Sequence, residues 1–205
     1  MNVYVESNFV LELALVQEEH TSCEEILRLS ERGNARLVIP AYSFAEPYET
    51  LVRRRGQRKR LKDNLDEELK QLSRTATYSQ RLSGFEDLTK VLIDSADGQD
   101  KRLAQLRARL LKAVEVIPLD VSILAAATRY RARHDLSSQD SLVYASVLSH
   151  LPPSGARESC FLNKNSKDFD DPDIVAELKQ YNCKLMPRFD DGHRYIRAVA
   201  ARGPS

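Results

Sequence analysis

No apolar run in this 205-residue sequence approaches the length of a membrane span. The N-terminus, Met-Asn-Val-Tyr-Val-Glu, passes straight into a strand pattern, with no basic segment ahead of an apolar stretch, so no signal peptide is expected. Cysteine is scarce. Cys23, Cys160 and Cys183 are odd in number and show no C-x-x-C spacing. That argues against a disulfide framework or a zinc site and for three small buried hydrophobes in a reducing compartment. A soluble, cytoplasmic protein with no membrane partner follows as the expectation. Charge of one sign is also lacking: the net charge is +1, so attraction to nucleic acid must come from a local patch. His20, His134, His150 and His193 have no metal-ligand spacing; His134 and His150 suit helix C-termini. There is no G-x-S-x-G elbow, no phosphate-binding glycine loop, no internal repeat and no low-complexity segment.

What is present is a core and a rhythm. Hydrophobic residues make up 42% and charged residues 30%, enough for one domain with a sizeable interior. Residues 2–5, 36–39, 114–119, 159–162 and 183–186 read as short strands, each separated from the next by helical periodicity. Thr21 and Glu24 make a capping-box pattern, and Gly33-Asn34 stops the helix that follows it. A helix is expected to open near Ser43, with Ser43 and Glu46 as its box and Pro47 in the first turn or so. Residues 57–113 are charge-rich and helical, with breaks expected at Gly84 and Asp97-Gly98. A helix spans about Ser138 to His150, Pro152-Pro153-Ser154-Gly155 is a loop, and Asp173 is placed to cap a short helix. Periodicity fades after Tyr195. Alternating strands and helices predict an α/β fold: three layers, a central mostly parallel sheet of about five strands, and a helical insertion. The expected organisation is one domain over residues 1–190, an insertion at about 57–113, and a C-terminal tail, 191–205.

Four acids lie where such a fold gathers side chains. Glu6, Glu46, Asp140 and Asp168 each follow an apolar run, at or near a helix start. In open α/β sheets, ligands bind beyond the carboxyl ends of the strands. Like charges gathered in a dry pocket are costly without a cation, and Mg²⁺ or Mn²⁺ suits oxygen ligands. Each acid also has a plainer role. Glu6 favours a helix dipole, Glu46 and Asp140 are the acids of N-terminal boxes, and Asp168 sits in a turn-rich Asn-Lys-Asn-Ser-Lys-Asp stretch. Asp140 stands out, because Leu142, Val143, Ala145, Val147 and Leu148 make its helix buried on more than one side.

Four stretches in order resemble the PIN-domain nucleases, especially the toxins of VapBC-type toxin–antitoxin pairs. They are Val-Tyr-Val-Glu6-Ser7-Asn8, Ile39-Pro-Ala-Tyr-Ser-Phe-Ala-Glu46, Leu136-Ser-Ser-Gln-Asp140-Ser-Leu-Val-Tyr, and Phe161-Leu-Asn-Lys-Asn165-Ser-Lys-Asp168-Phe169. The similarity covers about residues 1–55 and 114–187. It departs at Glu6, where the family usually has Asp, and at Asn163, where Thr or Ser is common. The resemblance implies hydrolysis of phosphodiester bonds, usually in RNA, at a carboxylate-bound Mg²⁺ or Mn²⁺, leaving 5′-phosphate and 3′-hydroxyl ends. It implies Glu6, Glu46, Asp140 and Asp168 as catalytic metal ligands, with Ser7, Asn8 and Asn165 orienting carboxylates or waters. An antitoxin protein and a homodimer are the partners it implies.

Positive charge for an RNA strand is concentrated in Arg53, Arg54, Arg55, Arg58, Lys59 and Arg60, with Lys164 and Lys167 beside the last motif. The basic run also reads as a solvated helix face paired with Asp63, Asp66 and Glu67. Tyr42 and Tyr144 suit base stacking or packing. Two other functions fit the residues: a catalytically degenerate PIN-like module binding RNA or protein, and a structure-specific DNA nuclease. A haloacid-dehalogenase-like phosphatase is rejected, since Glu6-Ser7-Asn8 lacks its nucleophilic Asp.

Overall fold

Five short strands carry the architecture: β1 (Asn2–Val5), β2 (Arg36–Pro40), β3 (Val114–Ile117), β4 (Ser159–Leu162) and β5 (Cys183–Met186). The computed structural model describes residues 1–79, 82, 85–152, 158–165, 169 and 171–202. The strands form one all-parallel sheet in the order β3-β2-β1-β4-β5. β1 and β4 are buried along their whole length, which is why they read as unbroken apolar runs rather than alternating ones. The chain steps from β1 out to β2 and β3, then returns to the other side of β1 for β4 and β5. The connections therefore diverge between the carboxyl ends of β1 and β4, and a crevice opens there.

The helices are α1 (Ser7–Leu15), α2 (His20–Glu31), α3 (Ala41–Leu72), α4 (Ala76–Ser79), α5 (Phe85–Ala113), α6 (Val121–His134), α7 (Ser138–His150), α8 (Pro172–Gln180) and α9 (Phe189–Ala201). On one face of the sheet, α6, α7 and α8 close over Tyr4, Val38, Ile117, Phe161 and Cys183. There Tyr130, Tyr144, Phe169 and Phe161 run in series, each edge-on to the next with centroids 5.0–6.0 Å apart. The opposite face is covered by α1, α2 and α9, with Phe9 edge-on to Phe189 at 5.6 Å. A Cβ on Gly192 would lie 2.5 Å from a Leu162 methyl, so this glycine lets α9 settle on β4.

The chain divides into two compact units, residues 1–47 with 106–205, and residues 48–105. The first holds the sheet. The second is built from the distal part of α3, α4 and the first part of α5. Within it, Arg55 pairs with Asp97 and Asp100, and Arg58 donates to Ser95 Oγ and Gln99 Oε1. Its apolar ridge stays largely wet: Leu61, Leu72, Phe85, Leu88 and Val91 are all exposed.

Several local expectations change. α3 starts at Ala41, so Ser43 lies inside the helix and Pro47 is interior rather than in the first turn. α2 starts at His20 and no Thr21–Glu24 box forms; Glu24 instead takes a bidentate contact from Arg109, two charge-assisted bonds at 2.8 Å that outweigh one cap. Gly33 does end α2, at φ +74, with Asn34 N–H returning to Leu29 O. α5 runs through Asp97-Gly98 unbroken. A glycine costs about 1 kcal/mol in a helix, too little to break one whose Asp97 and Asp100 are tied to α3. Gly84 lies outside the described residues, as do residues 153–157 of the proline loop. Asp171, not Asp173, caps α8. The segment expected to be a tail is helical to Ala201, because Phe189 and Ile196 bury against the core. Val16 is the left-handed C-cap of α1, at φ 54 and 55% exposed.

Candidate active site

Glu6 follows the last residue of β1 and caps α1, its Oε2 accepting the Asn8 N–H at 2.8 Å. It is 7% exposed, and among the described residues its Oε1 has no hydrogen-bond partner of good geometry. Burial pushes its carboxyl from 4.5 up to about 7; the N–H groups of Asn8 and Lys164 oppose this, and the charge of Glu46 adds to it. A buried carboxylate oxygen without a donor is unfavourable unless protonated or matched by a cation.

Glu46 arrives from α3. With Ser43 inside the helix there is no capping box to occupy it; the Ser43 hydroxyl is buried without a partner among the described residues, and Glu46 accepts a hydrogen bond from Ser7 Oγ instead. Asp140 reconciles its two readings. It is the acid of the first turn of α7, where its N–H donates to Ser137 Oγ at 3.1 Å and its Oδ2 accepts the Ser137 hydroxyl. Its Oδ1 receives the Asn165 amide at 3.5 Å. One oxygen thus serves the cap and the other faces the crevice. Asn163, directly after β4 and 2% exposed, accepts the Asn165 N–H at 2.8 Å, the turn that brings Asn165 to Asp140.

Glu6, Ser7, Asn8, Glu46, Asp140 and Asn165 line one cavity of about 130 Å³ at the switch point. Gln139 and Asn163 line it too, and sequence reasoning gave neither a role there. Tyr42 stands beside this cavity; burial raises its hydroxyl, Glu46 adds to the rise, and a hydrogen bond with the Gln139 side chain opposes it. The position of Gln139 next to Asp140 in a first helical turn was the available signal. Tyr144 is fully buried with its hydroxyl on Glu177 at 2.8 Å, so it packs rather than stacks on a base. Asp168 and Lys167 lie outside the described residues.

Lys164 does not line this cavity. Its ammonium lies 2.6 Å from Glu12 Oε1 and 3.7 Å from Glu19 Oε2. Glu12 is 2% exposed, and a carboxylate that deep requires a counter-charge. In the basic run of the second unit, Arg55 and Arg58 are engaged by α5, while Arg53, Lys59 and Arg60 stay exposed. Lys62 pairs with Asp66, as the solvated-face reading expects. The helix-end histidines are wired into the core: His134 Nδ1 to Asp171 at 3.2 Å, His150 Nδ1 to the Tyr4 hydroxyl at 3.0 Å. All three cysteines are free and buried.

The cavity's donors are carboxylates, amides and hydroxyls, without nitrogen or sulfur ligands, and that set suits a hard cation. The orphaned Glu6 oxygen fits it as well. The acids are not drawn into a closed cage: among the described residues, no three His, Cys, Asp or Glu side chains group closely enough to hold a metal ion.

A family model described as PIN domain matches residues 3–169, from β1 through all four motifs. No curated protein matches the chain. This chain belongs to the PIN-domain family, whose members are generally nucleases. Among the described residues, no helix is long and apolar enough to cross a membrane.

Proposed function

We propose that this chain is a metal-dependent endoribonuclease. The observation that carries the reading is the cavity at the end of β1, where Glu6, Glu46 and Asp140 converge from three elements and one buried oxygen of Glu6 makes no hydrogen bond of good geometry among the described residues. In this reading Glu6, Glu46 and Asp140 hold Mg²⁺ or Mn²⁺, and Asp168 completes the acid set. A cation of this kind polarises a phosphate oxygen and lowers the pKa of its bound water. The chain's own task is orientation. Ser7 fixes Glu46, Asn165 fixes one oxygen of Asp140, and the Asn8 N–H holds Oε2 of Glu6, leaving Oε1 to the cavity. Arg53, Arg54, Lys59 and Arg60 are the candidate contacts to an RNA backbone, with an affinity that falls as salt rises. The resemblance to VapBC-type toxins extends the proposal to a toxin restrained by an antitoxin and acting as a homodimer.

A second reading has its own support. The acids form no closed ligand group, and Glu6 stands where Asp is usual, which suits a module that binds RNA or protein without cutting. One experiment separates the readings: end-labelled RNA and DNA of one sequence, incubated with Mg²⁺, Mn²⁺ or EDTA. The nuclease reading expects RNA to be cut with 5′-phosphate ends, only with metal, and at least about 100-fold more slowly by Asp140→Asn. RNA binding without cutting under any metal would establish the module, and preferential cutting of DNA would make it a DNA nuclease.

A further inference from the structure

The edge of the sheet at β5 carries a groove lined by no residue of the nuclease motifs. Among the described residues β5 pairs with β4 alone. Asn182 O accepts from Ser159 N–H and Met186 O from Asn163 N–H, both at 3.0 Å, so alternate residues turn their main chain to β4. In a parallel ladder the residues between them, Cys183 and Leu185, then turn N–H and C=O outward, four groups in search of partners. They face a groove of about 390 Å³ whose walls are Val175 and Lys179 of α8 and Tyr195 of α9.

Each wall pairs an apolar surface with an ammonium. On the α8 side, Val175 is 42% exposed near Leu185, with Lys179 one turn on. On the other side, the Lys184 ammonium sits 4.9 Å over the Tyr195 ring, whose hydroxyl is held by Glu158. Neither Lys179 nor Lys184 pairs with a carboxylate among the described residues. A lysine on an edge strand discourages pairing with another copy of the same edge, because like charges would then meet. It does not discourage a strand of opposite charge.

The geometry points to β5 as a docking edge for an extended, acidic and apolar segment of a protein partner, added as a sixth strand. The main-chain groups of Cys183 and Leu185 supply the pairing, Val175, Leu185 and Tyr195 the apolar contact, and Lys179 and Lys184 the selection for acid on both faces. This interaction is independent of the nuclease site.

The test uses the full chain and three blocked hexapeptides: Val-Glu-Glu-Val-Glu-Glu, its Lys counterpart, and the acidic peptide N-methylated at alternate residues. Amide hydrogen exchange is followed by NMR. The acidic peptide is expected to slow exchange at Cys183 and Leu185 on the order of tenfold at saturation. The other two leave both amides unchanged, and the K179E/K184E double variant reverses the preference to the basic peptide. The assignment is overturned if exchange at Cys183 and Leu185 is unmoved by millimolar acidic peptide. It is equally overturned if acidic and basic peptides protect alike, or if N-methylation makes no difference.

Discussion

The Glu6 carboxyl sets a pH dependence of stability that can be worked out from its burial. Its proton affinity rises from 4.5 to about 7 on folding, chiefly through desolvation. Below pH 4.5 the group is neutral folded or unfolded and costs nothing. Between the two values the unfolded chain releases the proton while the folded chain keeps it, so metal-free stability falls by about 1.4 kcal/mol per pH unit. Above pH 7 both forms are ionised, and the accumulated cost levels off at about 3 kcal/mol. Replacing Glu6 by Gln removes the titration while keeping an oxygen to accept the Asn8 N–H. In EDTA, urea unfolding should then find Glu6→Gln close to wild type at pH 5 but more stable by about 2–3 kcal/mol at pH 8. A divalent cation should narrow the gap at pH 8 by stabilising wild type alone. If wild type and Glu6→Gln keep a constant difference between pH 5 and pH 8, the carboxyl is not buried and unmatched as described, and the case for a cation beside it fails.

Three further outcomes are expected. Lys164→Met should cost about 3 kcal/mol by leaving Glu12 buried and uncompensated, most of it recovered in a Glu12→Gln/Lys164→Met double variant; an unchanged salt slope of RNA binding in the single variant would separate this structural role from phosphate contact. Val16→Gly should raise stability by about 1 kcal/mol in thermal unfolding, because a β-branched residue at φ 54 is strained and its side chain is mostly in water. Ser7→Ala, which removes the hydroxyl that donates to Glu46, should lower RNA cleavage by about 10- to 100-fold with an unchanged unfolding midpoint.

The strands and most helices were legible because their signals are local. Val-Tyr-Val and Ser-Cys-Phe-Leu are apolar runs that only a doubly covered sheet accommodates, and Ser137 with Asp140 marks a helix start by chemistry. Failures came where a distant partner outbids a local preference. Glu24 belonged by pattern to Thr21 but binds Arg109, 85 positions away. Glu46 belonged by pattern to Ser43 but binds Ser7, 39 positions away. Lys164 sits beside an acidic motif in sequence, yet Glu12, invisible as a buried charge in a helix that reads as merely apolar, captures it. α9 escaped notice because Phe189, Ile196 and the glycine contact at Leu162 have meaning only once β4 is in place. Gln139 entered the cavity by adjacency to Asp140, a consequence of helix phase that composition does not disclose.

A cation in the cavity lined by Glu6, Glu46 and Asp140 is tested most directly by Mn²⁺ titration of the metal-free chain followed by electron paramagnetic resonance. Wild type should bind Mn²⁺ more tightly as pH rises through about 7, the value of the Glu6 carboxyl, and Asp140→Asn, with an unaltered circular dichroism spectrum, should lose that binding. Mn²⁺ remaining free in wild type at pH 8, or bound equally well by Asp140→Asn, would contradict it.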